Sequence, residues 1–247
     1  MSLICRSYLS PVQDRFFQDV WAWLGASSGI GLGVGSEAGR SSEEPDVLFM
    51  CGLPTGREID RFQPLVAAVL AGARYGGRPV YFTDLVVREG RPGPPLPGWR
   101  IAYNQTTSFS GWVAPRWGLE ELGLDPDSFT WIPTGSHLRS LEAVRSGEAD
   151  AAGIDSMVLD LVTADETPGA GLATVESFGP WPAPPISTSA AMDRSLRGKL
   201  AAILSSMHEQ PAGADLLNAW GVERLAPADP SEYARLARLA GPAPVDD

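Results

Sequence analysis

Lysine is nearly missing from this sequence: of 19 basic residues Lys199 is the only lysine, and the arginines are scattered. Binding to nucleic-acid phosphates needs a clustered basic face that displaces counterions. Here 30 acidic residues outweigh the basic ones and the net charge is -11. Nucleic acid and anionic membrane surfaces are therefore excluded as partners. An anionic ligand would also meet a repulsive overall field, so its capture requires local donors in a closed pocket. Cysteine is equally scarce. Cys5 and Cys51 stand in apolar runs and read as small buried hydrophobes, and no Cys-x-x-Cys or Cys/His zinc spacing occurs. No cofactor or metal is expected. No window approaches the roughly 18 apolar residues of a membrane span, so no membrane insertion is expected. The start lacks a basic region followed by an apolar stretch and a cleavage site. As it stands the chain reads as cytoplasmic; it would be periplasmic or extracellular if a signal peptide had been trimmed.

What is present is an ordinary globular composition, 44% hydrophobic and 20% charged over 247 residues, long enough for one large domain or two lobes. Only the tail from Gly241 to Asp247, rich in Pro, Gly and Asp, reads as disordered. Leu3 to Leu9 reads as a strand. Pro11 then opens a helix whose Val12, Phe16, Val20, Trp23 and Leu24 fall at helical spacing. The run from Gly29 to Gly35 alternates glycine with aliphatics, which is strand periodicity and not the spacing of a phosphate-cradling loop. Asp46 to Cys51 reads as a buried strand ending in a tight loop at Gly52–Gly56, Phe62 to Leu70 as a helix, and Arg78 to Val87 as an extended stretch.

The middle of the chain repeats one pattern three times: strand, short polar loop, helix. The strands are Trp99–Tyr103, Phe129–Ile132 and Ala149–Ile154, and the helices are Trp112–Leu122, Leu138–Ser146 and a third that runs to about Thr163. Such a repeat implies a parallel sheet with crossovers, and ligands bind such sheets beyond the C-terminal strand ends. The three loops, 104–111, 133–137 and 155–156, all follow such ends. Thr106, Thr107, Ser108 and Ser110 add hydroxyl donors to the unpaired N–H groups of a helix start, a combination suited to an oxyanion. The same hydroxyls also suit helix capping. Beyond this segment Thr174–Ser177 reads as a strand, Gly179–Pro185 as a rigid proline-rich crossing, and Arg194–Gln210, Ala212–Trp220 and Ser231–Leu239 as closing helices.

Three motifs stand in order: Ser108-Phe109-Ser110-Gly111, Gly135-Ser136-His137, and the stretch from Leu141 to Ser156 containing Gly147-Glu148-Ala149-Asp150-Ala151-Ala152 and Asp155. In this order they resemble the phosphonate- and phosphate-type substrate-binding proteins of ABC transporters. The resemblance is strong over about 99–160 and looser over 45–90. It implies an α/β, two-lobed type II periplasmic-binding fold, each lobe a mostly parallel sheet flanked by helices, joined by two hinge crossings near Thr83–Val87 and Ser177–Pro185. Lobe I would comprise 1–84 plus 180–247 and lobe II 85–179. The function implied is binding of a small polar or oxyanionic solute, phosphonate-like, in an interlobe cleft that closes about the hinge. Ser108, Ser110 and His137 would contact the anionic head, and Asp155 would face the other end. From the strand ends of the first lobe and the hinge come Tyr8, Thr55, Tyr81 and Thr83. The family often has Asp-Pro where Gln105-Thr106 stands here, and commonly Thr where Phe109 stands. Phe109 removes a donor and adds an apolar wall, which points to a less charged or partly aromatic ligand.

Two other functions remain on the sequence alone. The same fold carries cytoplasmic biosynthetic enzymes, and a Ser108–His137–Asp155 triad can be drawn, although no Gly-x-Ser-x-Gly elbow is present. A metabolite sensor that passes closure to a cytoplasmic partner protein would show an exposed apolar patch, with Trp21 and Trp23 the place to look. Binding without catalysis is the favoured reading, the partners being a small-molecule ligand and an ABC transporter permease.

Overall fold

A computed structural model describes residues 2–29, 31–34, 44–91, 93–164 and 171–241. Ile30 and Gly35 of the glycine-alternating run, and the tail from Pro242 to Asp247, lie outside the described residues. The chain forms two compact units. One comprises Met1–Val80 and Pro182–Gly241, the other Tyr81–Trp181. Among the described residues no helix is long and apolar enough to cross a membrane.

The first unit contains strands β1 (Ser2–Ser7), β2 (Gly31–Val34), β3 (Val47–Phe49), β4 (Phe62–Leu70), β10 (Pro185–Ser189) and β11 (Val222–Pro227), numbered along the whole chain. They make one sheet in the order β11-β4-β10-β3-β1-β2. Helix α1 (Pro11–Ser28) starts as the sequence implies: the Ser10 hydroxyl accepts from the Gln13 N–H, Pro11 fills the first turn, and Gly29 closes the helix at a φ of 67°. Its buried face brings Phe17 onto Trp21, ring centroids 5.6 Å apart, and onto Phe49 at 5.3 Å. Burial of each such ring stabilises the unit by roughly 1.5–3 kcal/mol. Trp21 and Trp23 are thus core residues, 0% and 8% exposed. The exposed apolar patch that a sensor would need is not made by this pair.

Two local expectations are overturned in this unit. Phe62–Leu70 is a strand, not a helix. Its apolar run is continuous, and a continuous run of this length does not separate the two periods. What decides is its place between β10 and β11, antiparallel to both, with both faces covered. The register against β10 slips between Ile186 and Ser187, beside Pro64, which has no N–H to give the ladder. Gly52–Gly56 is not a tight loop but part of helix α2 (Gly52–Arg57). A Cβ on Gly56 would stand 2.1 Å from the Tyr233 carbonyl oxygen, so glycine here permits close packing against α8 (Pro230–Ala240). Helices α6 (Arg194–Ser205) and α7 (Pro211–Ala219) complete the unit. β11 follows them where the sequence suggested only helices.

The second unit holds β5 (Val80–Arg88), β6 (Arg100–Tyr103), β7 (Thr130–Pro133), β8 (Ala151–Asp155) and β9 (Leu172–Pro182), in the order β7-β6-β8-β5-β9. β6 is parallel to β7 and to β8, as the strand–loop–helix repeat requires, while β5 is antiparallel to β8. In the first unit β1, β2 and β3 are parallel and β10 and β11 enter antiparallel. The parallel pairs β1–β2, β1–β3, β6–β7 and β6–β8 all lie between strands whose connection passes through a helix. α3 (Ala114–Glu121) covers one face through Leu85, Ile101, Leu119 and Phe178. α4 (His137–Ser146) and α5 (Ser156–Ala164) cover the other through Val86, Ala102, Leu141, Ile154 and Val158. β9 extends into the expected proline-rich crossing as far as Pro182, and β10 begins at its end, Pro185. At the other end of the strands, Asp150 accepts from the Arg100 backbone N–H at 2.8 Å and from the Arg100 and Arg91 side chains.

Candidate functional site

The second unit's parallel strands end on one edge. β6 stops at Tyr103, β7 at Pro133 and β8 at Asp155, and the loops that follow are tied together. The Thr134 N–H and hydroxyl both donate to the Tyr103 carbonyl, at 2.8 and 2.9 Å, and the Gly135 N–H donates to the Asn104 carbonyl at 3.0 Å.

The hydroxyl loop turns at Ser108, whose N–H donates to the Gln105 carbonyl. Its hydroxyl oxygen accepts from the Gly111 N–H at 3.1 Å, so Ser108 is a helix cap. The helix begins with a π-helical turn at Phe109–Val113 before α3, an irregularity that widens the turn and is common at functional sites. Gly111 is required there, because a Cβ would lie 1.8 Å from Asn104 Oδ1. That oxygen is buried with no hydrogen-bond partner among the described residues. Thr106 is half-buried and Thr107 exposed.

Ser110, not Ser108, meets the histidine. Ser110 Oγ and His137 Nε2 are 3.0 Å apart, and both residues are buried. Burial pushes His137 down to about 4, opposed in part by the nearby Gly153 carbonyl. The ring is therefore neutral near pH 7. Among the described residues Nδ1 makes no hydrogen bond of ordinary geometry, and no carboxylate among them orients the ring, so the described residues do not assemble the triad drawn from the sequence. A neutral imidazole has one donor and one acceptor nitrogen. With Nε2 protonated, the Ser110 hydroxyl is free to turn its proton toward a ligand. With Nε2 bare, Ser110 gives its proton to the ring. The pair thus offers a donor or an acceptor according to tautomer.

Gly153 sits beneath this pair. A Cβ there would stand 2.3 Å from Pro115 Cγ and 3.0 Å from the Ser110 carbonyl oxygen. Residues two apart on a strand face the same way, so Asp155 shares that face. Asp155 Oδ1 accepts the Met157 N–H at 2.9 Å, capping α5. Thr83 is its partner across the antiparallel β5–β8 pair. The Thr83 hydroxyl is fully buried and has no partner among the described residues. Tyr81 is buried at the start of the unit. Phe109 is buried among rings, its centroid 5.5 Å from that of Trp117 and 4.9 Å from that of Trp181.

The fold thus brings Ser108, Ser110 and His137 together, with Asp155 and Thr83 on the same sheet face as Gly153. Tyr8 and Thr55 belong to the first unit. The Thr55 hydroxyl is spent on the Cys51 carbonyl at 2.9 Å. Tyr8 is half exposed beside a pocket of about 450 Å³ that Arg6, Leu48, Met50 and Phe62 also line. Asn104 and Gly153 were not singled out in the sequence. The signal was there in part, since Asn104 opens the loop and Gly153 interrupts an apolar strand.

Residues 38–233 match the model of the family described as the ABC transporter phosphonate periplasmic substrate-binding protein. The chain belongs to this family, and its function is the binding of a solute. No curated protein matches the chain. Among solved structures it is similar to a binding-protein component of an ABC phosphonate transporter from Pseudomonas aeruginosa, with 13% identity, a TM-score of 0.77, and 97% of this chain and 85% of that one covered. It is also similar to PhnD1 from Prochlorococcus marinus in complex with methylphosphonate, with 14% identity, a TM-score of 0.77 and 96% of each chain covered. A Xanthomonas citri protein bound to ATP is 17% identical, with a TM-score of 0.69 and 97% and 95% covered. The two-lobed α/β periplasmic-binding fold follows. The family is described as periplasmic, so the cytoplasmic reading of the sequence loses its support.

Proposed function

We propose that this chain binds a small oxyanion with a phosphonate-like head at the strand ends of its second unit. Ser108, Ser110, His137 and the first N–H groups of the helix starting at Phe109 would hold the head. Thr106 and Thr107 flank it, and Asp155 with Thr83 faces the far group of the ligand. The observation that carries this reading is the buried contact of 3.0 Å between Ser110 and a neutral His137 beside a helix start. Helix N-termini favour anions through unpaired N–H groups and the helix dipole. None of these groups is a Lys or Arg, and the Arg139 guanidinium lies on the neighbouring Gly135 loop, so hydrogen bonding dominates and an oxyanion that retains a proton is favoured. The PhnD1 relative was solved with methylphosphonate, which makes that anion the first probe.

Hinge closure on the ligand, with Tyr8, Thr55 and Tyr81 contributing, belongs to the same proposal, as does delivery to an ABC transporter permease outside the cytoplasm. The chain would release its ligand unchanged. Titration calorimetry with methylphosphonate, inorganic phosphate and sulfate tests the binding step. Methylphosphonate or phosphate should bind, sulfate should bind more weakly, and Ser110→Ala should weaken binding by about tenfold or more, the loss of a charge-assisted hydrogen bond. Absence of heat with every anion overturns the reading. Closure is read separately, by a fall in the radius of gyration on saturation.

A further inference from the structure

Phe109 lies between the two serines of the anion loop, yet its ring points into the protein. It is 1% exposed and meets Trp181 edge to face, with centroids 4.9 Å apart and planes at 79°. Trp117 of α3 completes the cluster, 5.5 Å from Phe109 and 6.0 Å from Trp181. Trp181 is the last residue of the second unit before the chain passes into the first at Pro182. Next to Trp117, Gly118 of α3 is closed against Phe178 of the same strand as Trp181: a Cβ on Gly118 would stand 2.2 Å from Phe178 Cδ1. The anion loop, α3 and β9 are thus interlocked by aromatic rings. At the other passage between units, Val80 to Tyr81, the Phe82 N–H donates to the Ser156 hydroxyl next to Asp155 at 3.1 Å.

We infer that Phe109 is a positioning residue of the binding loop and that its contact with Trp181 links the backbone of Ser108–Ser110 to the strand by which the chain leaves the second unit. This rests on the proposed oxyanion site. The loop's conformation sets where the Phe109 ring lies, because flanking residues on both sides are fixed: Ser108 by its cap to Gly111, Ser110 by His137. Packed aromatic rings are discrete contacts that a small backbone shift breaks. Ordering of Ser108 and Ser110 by a ligand therefore fixes Trp181, and loosening Trp181 loosens the loop.

Two measurements on the full chain test this, one without ligand. Amide hydrogen exchange across 108–113 is compared in wild type and Trp181→Leu, with the helix 194–205 as an internal control of overall stability. Exchange in the loop should quicken by about threefold to tenfold, the worth of one aromatic pair, while the control helix stays unchanged. Equal exchange in the loop overturns the link whatever any ligand does. Calorimetry with methylphosphonate then follows wild type, Phe109→Leu, Trp181→Phe and the double variant. Each single change should weaken binding by about threefold to tenfold, and the double variant should be no weaker than the worse single one. Effects that multiply overturn the coupling. Failure of wild type to bind methylphosphonate and phosphate overturns the oxyanion reading instead, and the exchange result alone then decides whether the loop and strand are linked.

Discussion

Ser110 Oγ lies 3.0 Å from His137 Nε2, although 27 positions separate the two residues in the chain. Each arrives from a different helix start, and both helices follow parallel strands that end on the same edge. The hydrogen bond makes one adjustable group out of two neutral ones, and the adjustment is the imidazole tautomer.

His137→Gln and Ser110→Ala should therefore affect binding as a pair. Each alone should weaken methylphosphonate binding by about tenfold to a hundredfold, because each leaves the other buried and unpartnered. The double variant should be far weaker in its added effect than the product of the two. Dissociation constants from calorimetry give the comparison; fully multiplicative losses would show that the two groups act independently.

The pH dependence of folding follows from the same histidine. Burial holds His137 down at about 4, below the value of about 6.5 expected of the unfolded chain. The unfolded state then binds more protons between these two values, so stability rises with pH across that window. The contribution is complete above about 6.5 and is lost progressively as pH falls toward 4, by about 3 kcal/mol in all. Asp150 acts further down: its hydrogen bonds from Arg100 hold it at about 2, so its contribution is present above its ordinary value and disappears as pH falls through 2. Urea unfolding between pH 4 and 7 should show a slope that His137→Gln flattens. An unchanged slope in that variant would assign the effect to another group.

Gly111→Ala should distort the hydroxyl loop, 104–111. The new Cβ would fall 1.8 Å from Asn104 Oδ1 and 2.7 Å from Asn104 Cγ, an overlap that costs about 1–3 kcal/mol of stability. Because the obstruction is a side chain, adding Asn104→Ala should restore much of both stability and anion binding. Thermal melts and calorimetry read the two effects. If the double variant is no better than Gly111→Ala, the backbone at 111 and not the Asn104 contact is what requires glycine.

Much of the second unit was legible along the chain. The repeat of strand, polar loop and helix over 99–160 has clear periods and strong punctuation: Ser136 caps α4 at one end and Gly147, at a φ of 81°, ends it at the other. These are local interactions, so the chain states them locally. The first unit was harder. Phe62–Leu70 is apolar at nearly every position, and such a segment takes the conformation of whatever surrounds it. Only its pairing with β10 and β11, segments more than a hundred positions away, makes it a strand. α2 depended in the same way on α8, which Gly56 admits at close range.

The site divides along the same line. Its residue types were visible in the order Ser108, Ser110, His137 and Asp155, because helix starts after strand ends carry hydroxyls and glycines for local backbone reasons. The sequence by itself determined that this edge is rich in hydroxyl donors and that the three loops themselves, 104–111, 133–137 and 155–156, contain no lysine or arginine. Which serine meets the histidine, the ring's neutrality, and the burial of Phe109 against Trp181 were decided only in the folded chain. Distances between helix starts and the depth at which an imidazole lies depend on how sheet and helices pack, and no spacing along the chain encodes them.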